Sequence, residues 1–147
     1  FTIDGVPLIY NGQETGETER PSHFEPFKIN WQTGDEKLRN FYKKLIRIRK
    51  TNPALIYSDL KEISTSCDTK LYAFSRQHKD NIIVTVLNFS GSDIKIDFDF
   101  PNDGKWIDLL AETTEGSPAG NLIIVTKNKK HHLHLFPYSA YIFLKTG

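Results

Sequence analysis

From Pro53 onward the chain alternates. Ile94, Ile96, Phe98 and Phe100 take every second place, with Lys95, Asp97 and Asp99 between them. Side chains of a strand point to opposite faces in turn, so a period of two describes a strand with one dry and one wet face. Turn signals interrupt the pattern about every eight to twelve residues, the signature of an antiparallel all-β sandwich. The readable strands number about seven or eight and cover 60–64, 70–78, 81–89, 94–100, 106–110, 122–126, 132–136 and 138–144. Ile82, Ile83, Val84, Val86 and Leu87 make 81–89 apolar enough for the centre of the sandwich. Lys79-Asp80 and Asn102-Asp103-Gly104 supply turns.

Ahead of Pro53 the pattern changes. A short apolar run is followed by a polar loop and then by a helix predicted over 35–51. Leu38, Phe41, Tyr42, Leu45 and Ile46 follow the one-face spacing of an amphipathic helix. Thr33 or Asp35 can cap its start with a side-chain oxygen. Lys43, Lys44, Arg47, Arg49 and Lys50 crowd the second half, where positive charge suits the negative end of the helix dipole. Pro53 ends the helix, because the residue before a proline is pushed out of helical geometry. The basic run reads as a solvated face, since no aromatic residues alternate with it for base stacking.

Composition narrows the function classes. With 38% hydrophobic and 25% charged residues the chain is globular rather than disordered. A formal charge of +1 gives no general pull toward nucleic acid or acidic membranes. No apolar run approaches the length of a membrane span. Cys67 is the single cysteine and has no internal disulfide partner, so the compartment is not readable.

The run Gly5-Val6-Pro7-Leu8-Ile9-Tyr10-Asn11-Gly12-Gln13-Glu14 reads as one buried strand ending in a glycine turn with an acidic residue at its lip. Pro7 suits the start of a strand, and Gly12 permits a backbone geometry that other residues resist. The run resembles the last barrel strand of the α-amylase family, glycoside hydrolase family 13, of the form Gly-x-Pro-x-Ile-Tyr-x-Gly-x-Glu. Asp4 and Asn11 depart from the commonest forms, which leaves substrate preference unread. Further along, Phe27-Lys28-Ile29-Asn30-Trp31 resembles the aromatic element before the final barrel helix. The stretch Phe41-Tyr42-Lys43-Lys44-Leu45-Ile46-Arg47-Ile48-Arg49 is similar to that helix, and Asn52-Pro53-Ala54-Leu55 to its exit. Val86-Leu87-Asn88-Phe89-Ser90 and Pro137-Tyr138-Ser139-Ala140-Tyr141-Ile142-Phe143 resemble a central and a closing strand of the C-terminal domain.

The resemblance implies a mainly β fold: an antiparallel β-sandwich C-terminal domain over 53–147, preceded over 1–52 by the last strand, loop and last helix of a β/α (TIM) barrel. It implies a parent enzyme that acts on α-glucosidic bonds of starch-like glucans by a retaining mechanism, with its catalytic carboxylates upstream of Phe1. Methionine is absent and the first residue is Phe1, which fits the rear part of a longer chain. The fragment itself is expected to be inactive, with no catalytic residue, no metal ligand and no cofactor of its own. Its partner is the α-glucan substrate, met through the missing barrel, with no nucleic acid and no membrane.

Residues just past a barrel strand's carboxyl end point into the active face. Tyr10, Asn11, Gln13 and Glu14 are therefore expected to flank the sugar cleft of the parent, or, for Glu14, to anchor the loop through backbone or arginine hydrogen bonds. Glu14, Glu17, Glu19 and Glu25 sit in one polar loop, with nothing in their spacing to hold two of them at the fixed separation glycoside hydrolysis needs. His131, His132 and His134 form the most metal-like cluster, but Lys127, Lys129 and Lys130 lie close by and oppose a cation, so an exposed hairpin is expected. Trp31 and Trp106 are either sugar platforms or packed rings. Asn88-Phe89-Ser90 matches a glycosylation acceptor but falls inside a predicted strand.

Two readings from other classes remain: a carbohydrate-binding module with its own glucan site, and a purely structural β-sandwich. Within the enzyme class, a transglycosylase or isomerase on the same barrel is the alternative. An apolar strand without its parallel neighbours is a template for self-association. Residues 1–10 are thus expected to be mobile, rearranged, or paired with another chain.

Overall fold

The computed structural model describes residues 1–147 except 20–23, 25, 27, 33, 68, 112–121, 127–129 and 147. Thr33, Glu25, Phe27, Lys127 and Lys129, weighed above, lie outside the described residues. The chain divides into two units, one of residue 1 with 5–51, the other of 2–4 with 52–147.

In the first unit, helix α1 (Glu36–Thr51) begins one residue later than the sequence suggests. Asp35 supplies the cap: its Oδ1 accepts the Leu38 N–H at 3.0 Å. Arg49 and Lys50 occupy the last turn, facing the carbonyl end of the dipole. Arg49 also donates to the carbonyls of Phe1, at 2.6 Å, and of Gly5. Ile48 is the one buried helix residue, while Phe41 is exposed and Leu38, Tyr42, Leu45 and Ile46 are half-buried. The run 5–10, expected as a buried strand, forms none here. A strand is held by ladder bonds to a neighbour, and every described strand pairs elsewhere. Val6 and Leu8 are accordingly 93% and 84% exposed.

The second unit opens with α2 (Ala54–Tyr57), a single turn that the sequence reading did not anticipate. Pro53 precedes it with φ −55, a value already suited to a first helical turn. The Ala54 N–H is taken up by Asn81 Oδ1 at 2.9 Å, and Asn81 in turn donates to Asn52 Oδ1 at 3.1 Å.

The strands are β1 (Leu60–Ile63), β2 (Leu71–His78), β3 (Asn81–Asn88), β4 (Ile94–Phe98), β5 (Gly104–Asp108), β6 (Leu122–Val125), β7 (His131–Leu135) and β8 (Ala140–Thr146). All pairings are antiparallel. One sheet has the order β1-β2-β3-β8-β5-β6, and β4 pairs with β7 in a second. His78 lies opposite Asn81, leaving Lys79-Asp80 as a two-residue turn. Lys79 has φ 53, the positive value that tight hairpin turns require.

The core lies between the two sheets. Ile94, Ile96, Phe98, Leu133 and Leu135 come from the small sheet, and Val84, Val86, Trp106 and Phe143 from the large one. The unit is therefore an antiparallel β-sandwich. Trp106 is fully buried and donates Nε1–H to the Asn102 carbonyl at 3.2 Å, so its one polar group is satisfied. The Phe100 ring joins this cluster with centroids 5.0 Å from Phe98 and Trp106 and 5.2 Å from Phe143. The other face of the large sheet is covered as well: Phe74, Ile83, Thr85 and Ile142 are buried, and α2, with Ala54 and Leu55 buried, packs on β2 and β3.

Arg76 is a buried charge in the middle of β2. It donates to the carbonyls of Thr2 at 3.2 Å, Ile3 at 3.0 Å and Ser58, and pairs with Asp4 at 3.1 Å. These bonds and the ion pair engage the two terminal nitrogens, which offsets much of the cost of burying the charge, and fasten residues 2–4 to the strand.

Candidate functional site

Tyr10 to Glu14 form a tight loop. Tyr10 accepts the Gln13 N–H at 3.0 Å, and the Gln13 side chain closes the turn by accepting the Tyr10 N–H at 3.1 Å. Gln13 to Thr15 then make a short 3-10 turn. Gly12 carries the N–H groups of Thr15 and Glu17 on its carbonyl, both at 3.0 Å, and the Thr15 hydroxyl at 2.8 Å. It has φ 85, and a Cβ there would stand 2.9 Å from the Cβ of Glu17. Both facts demand glycine.

The loop borders a concavity of about 290 Å³ lined by Ile9, Tyr10, Asn11, Glu14, Arg39, Tyr42, Lys43 and Ile46. The structure thus brings Tyr10, Asn11 and Glu14 to one cleft. Gln13 is not among its lining residues. The helical contributors follow a spacing of three, four and seven from Arg39, one stripe of α1. Their positions were readable as a face, but nothing local said which face meets the loop.

Glu14 is half-buried, and its Oε2 is buried without a hydrogen-bond partner. Arg39, the nearby candidate anchor, donates instead to the Trp31 carbonyl at 2.9 Å. Glu14 is the sole carboxylate among the residues lining the cleft. Glu17 turns away to accept the N–H groups of Thr18 and Glu19, each at 3.0 Å. Glycoside hydrolysis needs two carboxyl groups flanking one bond, and among the described residues this cleft offers one. What it can do is shape a surface and accept one hydrogen bond.

The other candidates divide. His131 is turned partly inward, its ring 5.7 Å from Phe100. His132 pairs through Nδ1 with Asp97, and His134 through Nε2 with Asp93 at 3.2 Å. No group of three or more His, Cys, Asp or Glu able to hold a metal occurs among the described residues. Trp106 is a packed ring, whereas Trp31 is 50% exposed. No helix among the described residues is long and apolar enough to cross a membrane.

A family model described as the alpha amylase C-terminal all-beta domain matches residues 65–146. A cyclomaltodextrinase from Thermoanaerobacter pseudethanolicus is 32% identical over 149 residues, covering 97% of this chain and 22% of that protein. The α-amylase MalA of Haloarcula japonica is 29% identical over 131 residues, covering 86% of this chain and 19% of its own. The crystal structure of an Anoxybacillus α-amylase matches with a TM-score of 0.78 at 23% identity, over 99% of this chain and 31% of that one, a likeness of fold. The chain spans about a fifth of the length of these two curated relatives.

Proposed function

The chain belongs to the family of α-amylase C-terminal all-β domains, and from that premise we propose that it is the rear part of a glycoside hydrolase acting on α-glucosidic bonds of starch-like glucans. Residues 1–52 are the last strand, loop and helix of the catalytic barrel, and 53–147 the sandwich that follows. The names of the relatives, a cyclomaltodextrinase and an α-amylase, favour this substrate class.

The observation that carries the reading is the family match over residues 65–146 in a chain whose upstream apolar run leaves Val6 and Leu8 exposed. An apolar run this bare needs cover. The neighbouring barrel strands of a longer protein provide it. Where that cover is lacking, the same run drives self-association. In the assembled barrel Tyr10, Asn11, Gln13 and Glu14 flank the sugar cleft, and the acid and nucleophile come from strands outside this chain. The alternative of a carbohydrate-binding module gains nothing from Trp106, which is buried.

The chain alone should not turn over a chromogenic maltoside, because no positioned acid protonates the leaving oxygen and no nucleophile traps the sugar. The longer protein carrying an intact barrel should. Turnover by the chain that disappears in Glu14→Gln would place the catalytic residues here and overturn the reading. An intact longer protein inert on every α-glucan would overturn the substrate class.

A further inference from the structure

We propose that the outer face of the β4–β7 sheet is a second binding site, separate from the Tyr10–Glu14 cleft, for a neutral α-glucan chain, with Phe136 as its stacking platform. The identity of the sugar rests on the α-glucan reading above. The site itself rests on four observations within the sandwich.

The first is placement. In β7 the odd-numbered Leu133 and Leu135 enter the core, so His132 and His134 face outward. Phe136 continues that row and is 60% exposed. Its ring lies 4.6 Å from that of His134, tilted by 44°. Flat rings in sequence along one strand are a surface on which the C–H faces of successive pyranose rings can rest.

The second is shape. A groove of about 500 Å³ is lined by Ser66, Lys95, Asp97, His132 and His134 among others; Phe136 is not one of its lining residues and adjoins it through the ring of His134. That is within the range of about 300–1,000 Å³ usual for small-molecule sites. Its walls carry hydroxyl, ammonium, carboxylate and imidazole groups, which suit a ligand made of hydroxyls. With Nδ1 of His132 against Asp97, the ring presents Nε2. With Nε2 of His134 against Asp93, the ring presents Nδ1.

The third is charge. Lys95 and Lys130 line the groove together with Asp97, and Asp93 stands behind His134. Among the described residues two cations stand against two carboxylates, a balance that selects neither an anion nor a cation. The imidazoles are engaged by different aspartates rather than converging, and no metal-holding group of three occurs among the described residues. A neutral polar ligand fits what remains.

The fourth is rigidity. The Phe136 carbonyl accepts from the buried Asn88 side chain at 2.8 Å, and the His134 carbonyl accepts from the Tyr141 hydroxyl at 2.7 Å. The backbone is thus fixed from behind at both residues that carry the tilted ring pair, and a platform held in place loses little freedom on binding.

The test uses the 147-residue chain, isotopically labelled and titrated with maltoheptaose. Cellohexaose, inorganic phosphate and zinc chloride serve as comparison probes. Amide shifts are expected to cluster at 93–97 and 131–136 with maltoheptaose. Phe136→Ala should weaken that binding by about three- to tenfold without changing the melting temperature. His132→Ala should weaken it as well. A silent face at tens of millimolar maltoheptaose overturns the proposal. So do shifts confined to other residues, binding untouched by Phe136→Ala, or a response to cellohexaose, phosphate or zinc alone. Turnover of a maltoside by the longer protein with this face silent removes the site and keeps the function. Maltoheptaose binding at this face with no α-glucan turnover by the longer protein removes the enzymatic reading and keeps the site.

Discussion

The side-chain amide of Asn88 donates a 2.8 Å hydrogen bond to the main-chain carbonyl of Phe136. The same nitrogen donates to the Ser92 carbonyl at 2.8 Å, while its Oδ1 accepts from the backbone and hydroxyl of Ser90 at 2.9 and 2.8 Å. One buried side chain therefore closes the turn after β3 and ties it to the exit of β7. The Asn-Phe-Ser pattern, which reads as a glycan acceptor, is a staple whose amide faces the protein.

Replacing Asn88 with Ala should destabilise the chain by about 1–3 kcal/mol, since it removes a buried side chain's bonds to the Ser92 and Phe136 carbonyls and leaves the Ser90 N–H and hydroxyl without their acceptor. Asn88→Asp keeps the acceptor and loses the donors, so it should fall short of wild type as well. Urea unfolding of the three proteins measures this. A change within about half a kcal/mol, the range of ordinary surface substitutions, would show that the staple carries no stability.

The two tryptophans should separate cleanly in fluorescence. Trp106 is fully buried and Trp31 is 50% exposed. Acrylamide should quench one emission component and leave the bluer one largely untouched. Trp31→Phe should abolish the quenchable component. Trp106→Phe should remove the blue one and destabilise the protein, though by less than the roughly 3–5 kcal/mol of a truncation to Ala. Equal quenching of both would contradict the packing.

What was legible follows from how locally each feature is determined. The alternation of Ile94, Ile96 and Phe98 is a property of neighbours, and the structure places those side chains in the core as read. Lys79-Asp80 as a turn, and the helix ending before Pro53, are equally local. Trp106 was ambiguous because its strand, β5, is flanked on one side by polar Lys105 and on the other by Ile107. Only the sheet pairing shows that Trp106 and Asp108 share the buried positions. Arg76 was invisible, since its partner carbonyl on Thr2 lies 74 residues away. The opening run shows the limit most plainly. Its apolar character was readable, but a strand is made by its neighbours, and among the described residues it has none. Tyr10, Asn11 and Glu14, read from the sequence as flanking a parent's sugar cleft, line a concavity here together with Arg39, Tyr42 and Lys43. The last three were not named as site residues, because an amphipathic helix announces its apolar face and not what its flank will meet.

Stability should fall at high pH partly through Tyr141. Its hydroxyl donates to the His134 carbonyl at 2.7 Å. Burial first, and then the negative charge of Asp108, hold its pKa above the ordinary tyrosine value. The folded state therefore keeps a proton that the unfolded chain releases near pH 10. The stabilisation is complete below about pH 10 and is lost as pH climbs toward the folded-state value. Tyr141→Phe should cost about 1 kcal/mol at neutral pH for the lost hydrogen bond and flatten the decline above pH 10. Tyr72, also raised, chiefly by desolvation and then by its bond to Glu62, leaves some slope in the variant. Thermal melts across pH 8 to 11 read both effects, and an unchanged decline would remove Tyr141 from the account.

The apolar run offers a sharper separation between stability and assembly. Val6 and Leu8 are 93% and 84% exposed, so they add little to the fold of the isolated chain. The double variant Val6→Ser, Leu8→Ser should unfold within about half a kcal/mol of wild type. Its solution behaviour should differ more. Bare apolar residues on an unpaired extended segment favour pairing with another copy. Wild type should then sediment faster as its concentration rises, while the variant stays monomeric. A wild-type chain that remains monomeric at the highest soluble concentration would show that exposure of this run is tolerated without a partner. That result would weaken the argument that it is built to be covered by neighbouring strands.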